Sequence, residues 1–95
     1  MPELLNPEAI QTLLMEIPKW ELAGDTISRT VEFPSFLEAV DAVNNIAREA
    51  EAMDHHPDID IRWRTVRLTL STHSAGGLTT LDFQLAKKLD QLLPS

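Results

Sequence analysis

Between Asn6 and Ile17 the apolar residues Ile10, Leu13 and Leu14 recur three and four apart, the spacing that lines one side of an α-helix. Asn6-Pro7-Glu8 supplies the start: an Asn side chain caps free N–H groups, and Pro in the first turn has no N–H to leave unpaired. The helix is predicted to reach about Ile17 and to be stopped by Pro18. The period then falls to two. Trp20-Glu21-Leu22 alternates, Gly24-Asp25 marks a turn, and Ile27, Arg29, Val31 and Phe33 share one face of a second extended run. Two strands in a hairpin are predicted.

Helical spacing returns after Pro34. Ser35 and Glu38 have the separation of a capping box, in which each side chain reaches the other's backbone N–H. Phe36, Val40, Val43 and Ala47 are predicted to form the core face of a second helix running to about Met53. From Ile59 the alternation resumes on odd positions, Ile59, Ile61 and Trp63, and switches to even ones, Val66, Leu68 and Leu70. A phase change requires a turn or bulge, placed near Arg64-Thr65. Gly76-Gly77 breaks the last strand, and Leu78, Leu81, Leu85, Leu89 and Leu92 mark a third helix closed by Pro94. The order α-β-β-α-β-β-α with short strand connections predicts an α+β two-layer sandwich, a four-stranded antiparallel sheet with three helices on one face.

Composition narrows what such a domain does. The 95 residues suffice for one core and are expected to form a single domain over 1–95. A formal charge of -7 argues against a phosphate backbone as partner, and the short Arg62, Arg64, Arg67 patch does not reverse it, so no nucleic acid is expected. Cysteine is absent, which removes thiolate catalysis and Cys-ligated zinc and fits a reducing compartment. The opening "MPELLNPEAI" lacks the basic and apolar regions of a signal peptide, and no run approaches a membrane span. The expectation is a cytoplasmic protein without membrane contact.

Two of the three histidines, His55 and His56, stand side by side in "EAMDHHPDID". Neighbours differ by about 100° on a helix and about 180° on a strand, so they converge on one object only where the backbone is irregular. Pro57 supplies that irregularity by pushing His56 out of the helical region. Glu51, four residues before His55, falls on the same helix face, positioned to orient or charge an imidazole. His73 precedes Ser74-Ala75-Gly76-Gly77, where glycine allows close backbone approach to a ligand or simply a turn. Asp82 lies three residues after Thr79, a spacing that a capping box alone would explain. Trp20 and Trp63 read as core or interface residues.

Three chemistries compete for these side chains. A zinc or iron site would use them, but His-x-His and His-x-x-x-His spacings are absent, so no metal is expected. Ser71 and His73 share a strand face without a nucleophile elbow. General acid/base catalysis by imidazoles fits best.

Glu51-x-x-x-His55-His56-Pro57, an aromatic at Trp63, His73 within "LTLSTHSAGGLT" and Asp82 in the next helix together resemble the signature of pterin-4a-carbinolamine dehydratases. The likeness spans nearly the whole chain, including the element order and a Trp after the first helix, as at Trp20. The resemblance implies a hydro-lyase that removes water from 4a-hydroxytetrahydropterin to give quinonoid dihydropterin, with no metal or organic cofactor. By the same resemblance His55, His56 and His73 surround the pterin, Glu51 tunes one of them, and Pro57, Thr72, Ser74 and Ala75 contact substrate. Asp82 and Trp20 would support the site. The family commonly has Tyr where Trp63 stands, so Trp63 is given no catalytic part. A homodimer or homotetramer and a functional link to an aromatic amino acid hydroxylase are implied as well. The competing expectation is a non-catalytic dehydratase-like scaffold that binds a protein.

Overall fold

The computed structural model describes residues 3–95. Asn6 caps α1 (Pro7–Leu14), its Oδ1 accepting the Ala9 N–H at 2.8 Å, with Pro7 in the first turn. The helix stops at Leu14, short of the expected Ile17. The chain winds on through tighter turns, Glu16 N–H to Leu13 C=O and Ile17 N–H to Leu14 C=O, and these deliver Ile17 into the core. Strands β1 (Glu21–Ala23) and β2 (Thr26–Glu32) form the predicted hairpin. Gly24 takes a φ of 60° in its turn, a conformation that costs glycine little.

Helix α2 (Phe36–Met53) ends where the sequence predicts, but its buried face is offset from the predicted one. Ala39, Ala42, Ile46 and Ala50 are buried, Val40 and Val43 are half-buried, and Phe36 and Ala47 are exposed. Small residues make up most of this buried face and α2 lies close to α3, whereas the larger Phe36, the first residue of the helix, is exposed. The Ser35 cap also differs. Ser35 Oγ accepts the Glu38 N–H at 3.1 Å as expected, but the Glu38 carboxylate accepts the Ser35 hydroxyl at 2.9 Å instead of the backbone N–H, so the reciprocal box is half made.

Strands β3 (Asp58–Arg62) and β4 (Thr65–Leu70) are joined by Trp63 and Arg64, one residue earlier than predicted. Pairing Ile59 with Leu68 and Ile61 with Val66 puts odd and even positions on one face, which accounts for the phase change. Trp63 is not a core residue: it turns the corner with a φ of 54°, is 71% exposed, and stacks under the Arg64 guanidinium at 4.6 Å. A short 3-10 turn at His73–Ala75 leads to α3 (Thr80–Leu92). On α3, Leu85 and Leu89 are buried and Leu81 is half-buried, while Leu92 is exposed and Leu93 takes the buried place.

The sheet runs β1-β2-β4-β3 with every pair antiparallel, giving the α+β order α-β-β-α-β-β-α. Ile27, Val31, Val66, Leu68 and Leu70 join the buried helix residues in one core. The opposite face carries Ser28, Thr30, Thr69 and Arg67, whose guanidinium donates to Ser28 Oγ at 3.1 Å. Arg29 lies on the core side and is buried. Its guanidinium meets Asp90 Oδ1 at 2.6 Å and donates to the Pro94 carbonyl, tying the C-terminal end of α3 to the sheet.

Candidate functional site

The histidine pair is presented by the end of α2, through a device that precedes Pro57. Asp54 adopts a left-handed φ of 51°, and the reversal lets the His55 N–H return to the Ala50 carbonyl at 3.0 Å. Asp is among the few residues other than glycine that tolerate this conformation. His55 is therefore already outside the helix, and Pro57 follows a termination made three residues earlier. The consequence falls on Glu51. The helix-face relation expected between Glu51 and His55 does not form, and Glu51 Oε2 meets His56 Nε2 at 3.3 Å instead. That pair is exposed, with 55% of the His56 side chain accessible, and ion pairs in such positions contribute little stability.

His55 turns the other way. It is 8% exposed, and its Nε2 lies 2.6 Å from Asp82 Oδ1 on the first turn of α3. Asp82, fully buried, also serves the helix start: its Oδ2 accepts the Thr79 N–H at 2.9 Å, while Thr79 Oγ1 accepts the Leu81 N–H at 3.3 Å. The capping role and the histidine contact are thus divided between the two oxygens of one carboxylate. Oδ2 further accepts the Thr72 hydroxyl at 2.9 Å, and Thr72 and Thr79 share a hydrogen bond of 2.8 Å. Every hydrogen-bonding group of Thr72 is engaged within the protein. Its N–H donates to Gly77 and its carbonyl accepts from Ala75, Gly76 and Gly77.

His73 follows Thr72 directly and is exposed at the start of the 3-10 turn, with Ser74 exposed and Ala75 half-buried beside it. Gly76 closes this turn with a φ of 78°, where any other residue would be strained. A pairing of Thr72 with Gly77 draws the loop into a tight excursion from the sheet. Bonds among α2, the loop and α3 thus gather His55, Asp82 and Thr72, with His56 and His73 adjoining through the chain. Trp20 stands apart. Its indole N–H donates to Asp90 Oδ1 at 2.8 Å, eight residues beyond Asp82 and so about 12 Å along α3. It supports the helix at its far end.

Thr79 was legible in the sequence as a helix cap, but its hydroxyl's connection through Thr72 to the histidine-bearing carboxylate was not. A Thr at each end of a six-residue Gly-rich loop, with Asp three residues on, is the signal that would have found it. Among the described residues, no group of three or more His, Asp or Glu side chains is arranged to hold a metal ion.

The fold is thus an α+β one with an open antiparallel sheet, and beside it a buried histidine–carboxylate contact is followed directly in the chain by an exposed histidine. The pterin 4 alpha carbinolamine dehydratase family model matches residues 3–92, and the chain belongs to that family. A Nocardia farcinica protein named "Putative pterin-4-alpha-carbinolamine dehydratase" is 57% identical over 90 residues, 95% of each chain. One of the same name from Mycobacteroides abscessus is 52% identical over 87 residues, 92% of this chain and 93% of its own. Among solved structures, a protein described as "transcriptional coactivator/pterin dehydratase" from Brucella melitensis superposes with a TM-score of 0.90 at 29% identity, covering 95% of this chain and 98% of its own. A pterin dehydratase-like protein described as a RuBisCO assembly factor in the alpha-carboxysome shares the fold, with a TM-score of 0.65 at 19% identity over 80% of this chain and 88% of its own.

Proposed function

We propose that the protein dehydrates 4a-hydroxytetrahydropterin to quinonoid dihydropterin and water by histidine general acid/base catalysis, in tetrahydropterin recycling. In this reaction the C4a–O bond breaks as an acid protonates the departing hydroxyl. A base removes the proton from the neighbouring ring nitrogen, and that N–H electron pair becomes the new C=N bond. Both proton movements suit imidazoles held on one planar substrate.

The observation that carries the reading is the unlike placement of two adjacent histidines: His55 buried against Asp82, His56 exposed beside Glu51. Different environments for paired titratable groups are how one site supplies both an acid and a base. His73, Ser74, Ala75 and Pro57 would complete the pterin surroundings. The chemistry requires no metal or organic cofactor. Its substrate would come from an aromatic amino acid hydroxylase in the cytoplasm, and the working form would be a homodimer or homotetramer.

Fold alone does not decide between this reaction and a binding scaffold, since one architecture carries many roles. The histidine set is what favours catalysis. Replacing His56 with Ala is expected to lower turnover on the order of 10²-fold, the usual worth of a positioned acid or base, with the fold intact. Stopped-flow decay of the 4a-carbinolamine measures it, and wild-type turnover in the His56→Ala protein would refute the assigned role.

A further inference from the structure

Counting hydrogens across the buried network between the Thr72–Gly77 loop and α3 gives every bond in it a direction. Asp82 Oδ2 accepts from the Thr79 N–H and from the Thr72 hydroxyl. The single hydroxyl hydrogen of Thr72 is thereby spent, so in the 2.8 Å contact between the threonines Thr79 donates and Thr72 accepts. Thr79 Oγ1 in turn accepts from the Leu81 N–H. The chain runs one way, from Leu81 N–H through the Thr79 and Thr72 hydroxyls to Asp82, and each bond polarises the next.

The far end of this chain is the contact of 2.6 Å between Asp82 Oδ1 and His55 Nε2. With Oδ2 saturated as a double acceptor, the carboxylate is set to accept at Oδ1 too, and the proton in that contact belongs to the imidazole. Neutral His55 is then the Nε2–H tautomer, and its lone pair is on Nδ1. No hydrogen bond to Nδ1 is formed among the described residues.

We propose that Thr72 and Thr79 are positioning residues that fix the tautomer of His55 through Asp82, so that His55 offers Nδ1 to substrate as a hydrogen-bond acceptor. Thr72 then acts through the carboxylate, not on the pterin, in keeping with its burial and its fully engaged groups. Thr79, completely buried, has no other access to the reaction. The catalytic half of this proposal rests on the dehydratase reading; the tautomer half does not.

Long-range 1H–15N correlation of the imidazoles tests the tautomer half without substrate. His55 is assigned by comparison with spectra of His56→Ala and His73→Ala. Wild-type His55 is expected as Nε2–H, and an Nδ1–H signal would overturn the proposal whatever the activity. Thr72→Val and Thr79→Val remove the hydroxyls and are expected to give a tautomer mixture, with kcat lowered about tenfold and KM held within about twofold, the scale of lost outer-shell partners. Thr72→Ser and Thr79→Ser, which keep the hydroxyl, are expected to restore both readouts. An unchanged tautomer in both valine variants, a rise in KM alone, or a changed tautomer at wild-type kcat would each refute the positioning role. Should a valine variant not fold, Thr72→Ala or Thr79→Ala removes the same hydroxyl and is held to the same outcomes, and the wild-type spectrum still decides the tautomer. A wild type that does not turn over the pterin would defeat the dehydratase reading and leave the tautomer measurement standing.

Discussion

The carboxylate of Asp82 closes the capping box of α3 with one oxygen and holds His55 with the other. Asp82→Asn preserves shape but offers an oxygen on one side and an NH2 group on the other, so unless His55 gives up its Nε2–H tautomer and accepts from that NH2, either the Thr79 N–H or the His55 Nε2–H faces a donor. Leaving one buried donor unpaired costs about 1–3 kcal/mol. Urea denaturation is expected to show that loss, or an Nδ1–H signal from His55 in its place, together with slower turnover, and a variant as stable as wild type that keeps the Nε2–H tautomer would mean the network is not fully formed. The candidates were legible in the sequence: the histidine pair, Glu51, His73 and Asp82 all stood out by spacing and likeness. Their pairing was not. Pairing Glu51 with His55 extends helical geometry two residues past Met53, and a single left-handed residue, Asp54, redirects both histidines. Local sequence does not announce such a reversal when the residue adopting it is not glycine.

At the scale of elements, that reversal sets how α2 delivers its histidines to the site. Asp54→Gly is expected to keep or slightly raise stability, since glycine adopts a positive φ freely. Asp54→Val is expected to cost about 1–2 kcal/mol, because a β-branched side chain crowds the backbone there. Equal urea midpoints for the two variants would show that the turn relaxes without cost. Element order and strand pairing were legible because alternation and helical spacing are direct images of burial. The buried face of α2 was harder to read. Its stripe of larger residues, Phe36, Val40 and Val43, advertised a core face, whereas the buried side is made by the alanines beside Ile46. Size alone does not say which side of a helix the core will cover.

For the whole molecule, the outer edge of the sheet matters most. Strand β3 is exposed along its length, with Ile59 and Ile61 more than a third accessible (37% and 38%) and Trp63 beyond them. An unpaired edge bearing apolar side chains is a template for another strand, and burying it against a second copy removes both liabilities. Sedimentation at micromolar concentration is expected to show a dimer or tetramer, and Ile61→Lys, which places a charge on that edge, is expected to shift it toward monomer. A monomeric wild type would contradict this. Self-association is expected from size and the open sheet alone, and the structure adds a candidate edge that the sequence did not single out, because Ile59 and Ile61 carry the same alternation as buried strand residues.

The proposed dehydration stands or falls on the decay of 4a-hydroxytetrahydropterin in the presence of the purified protein. Dehydration that accelerates in proportion to protein concentration, and that slows on the order of 10²-fold in His56→Ala, is the predicted result. A wild-type rate no faster than that of buffer would contradict it.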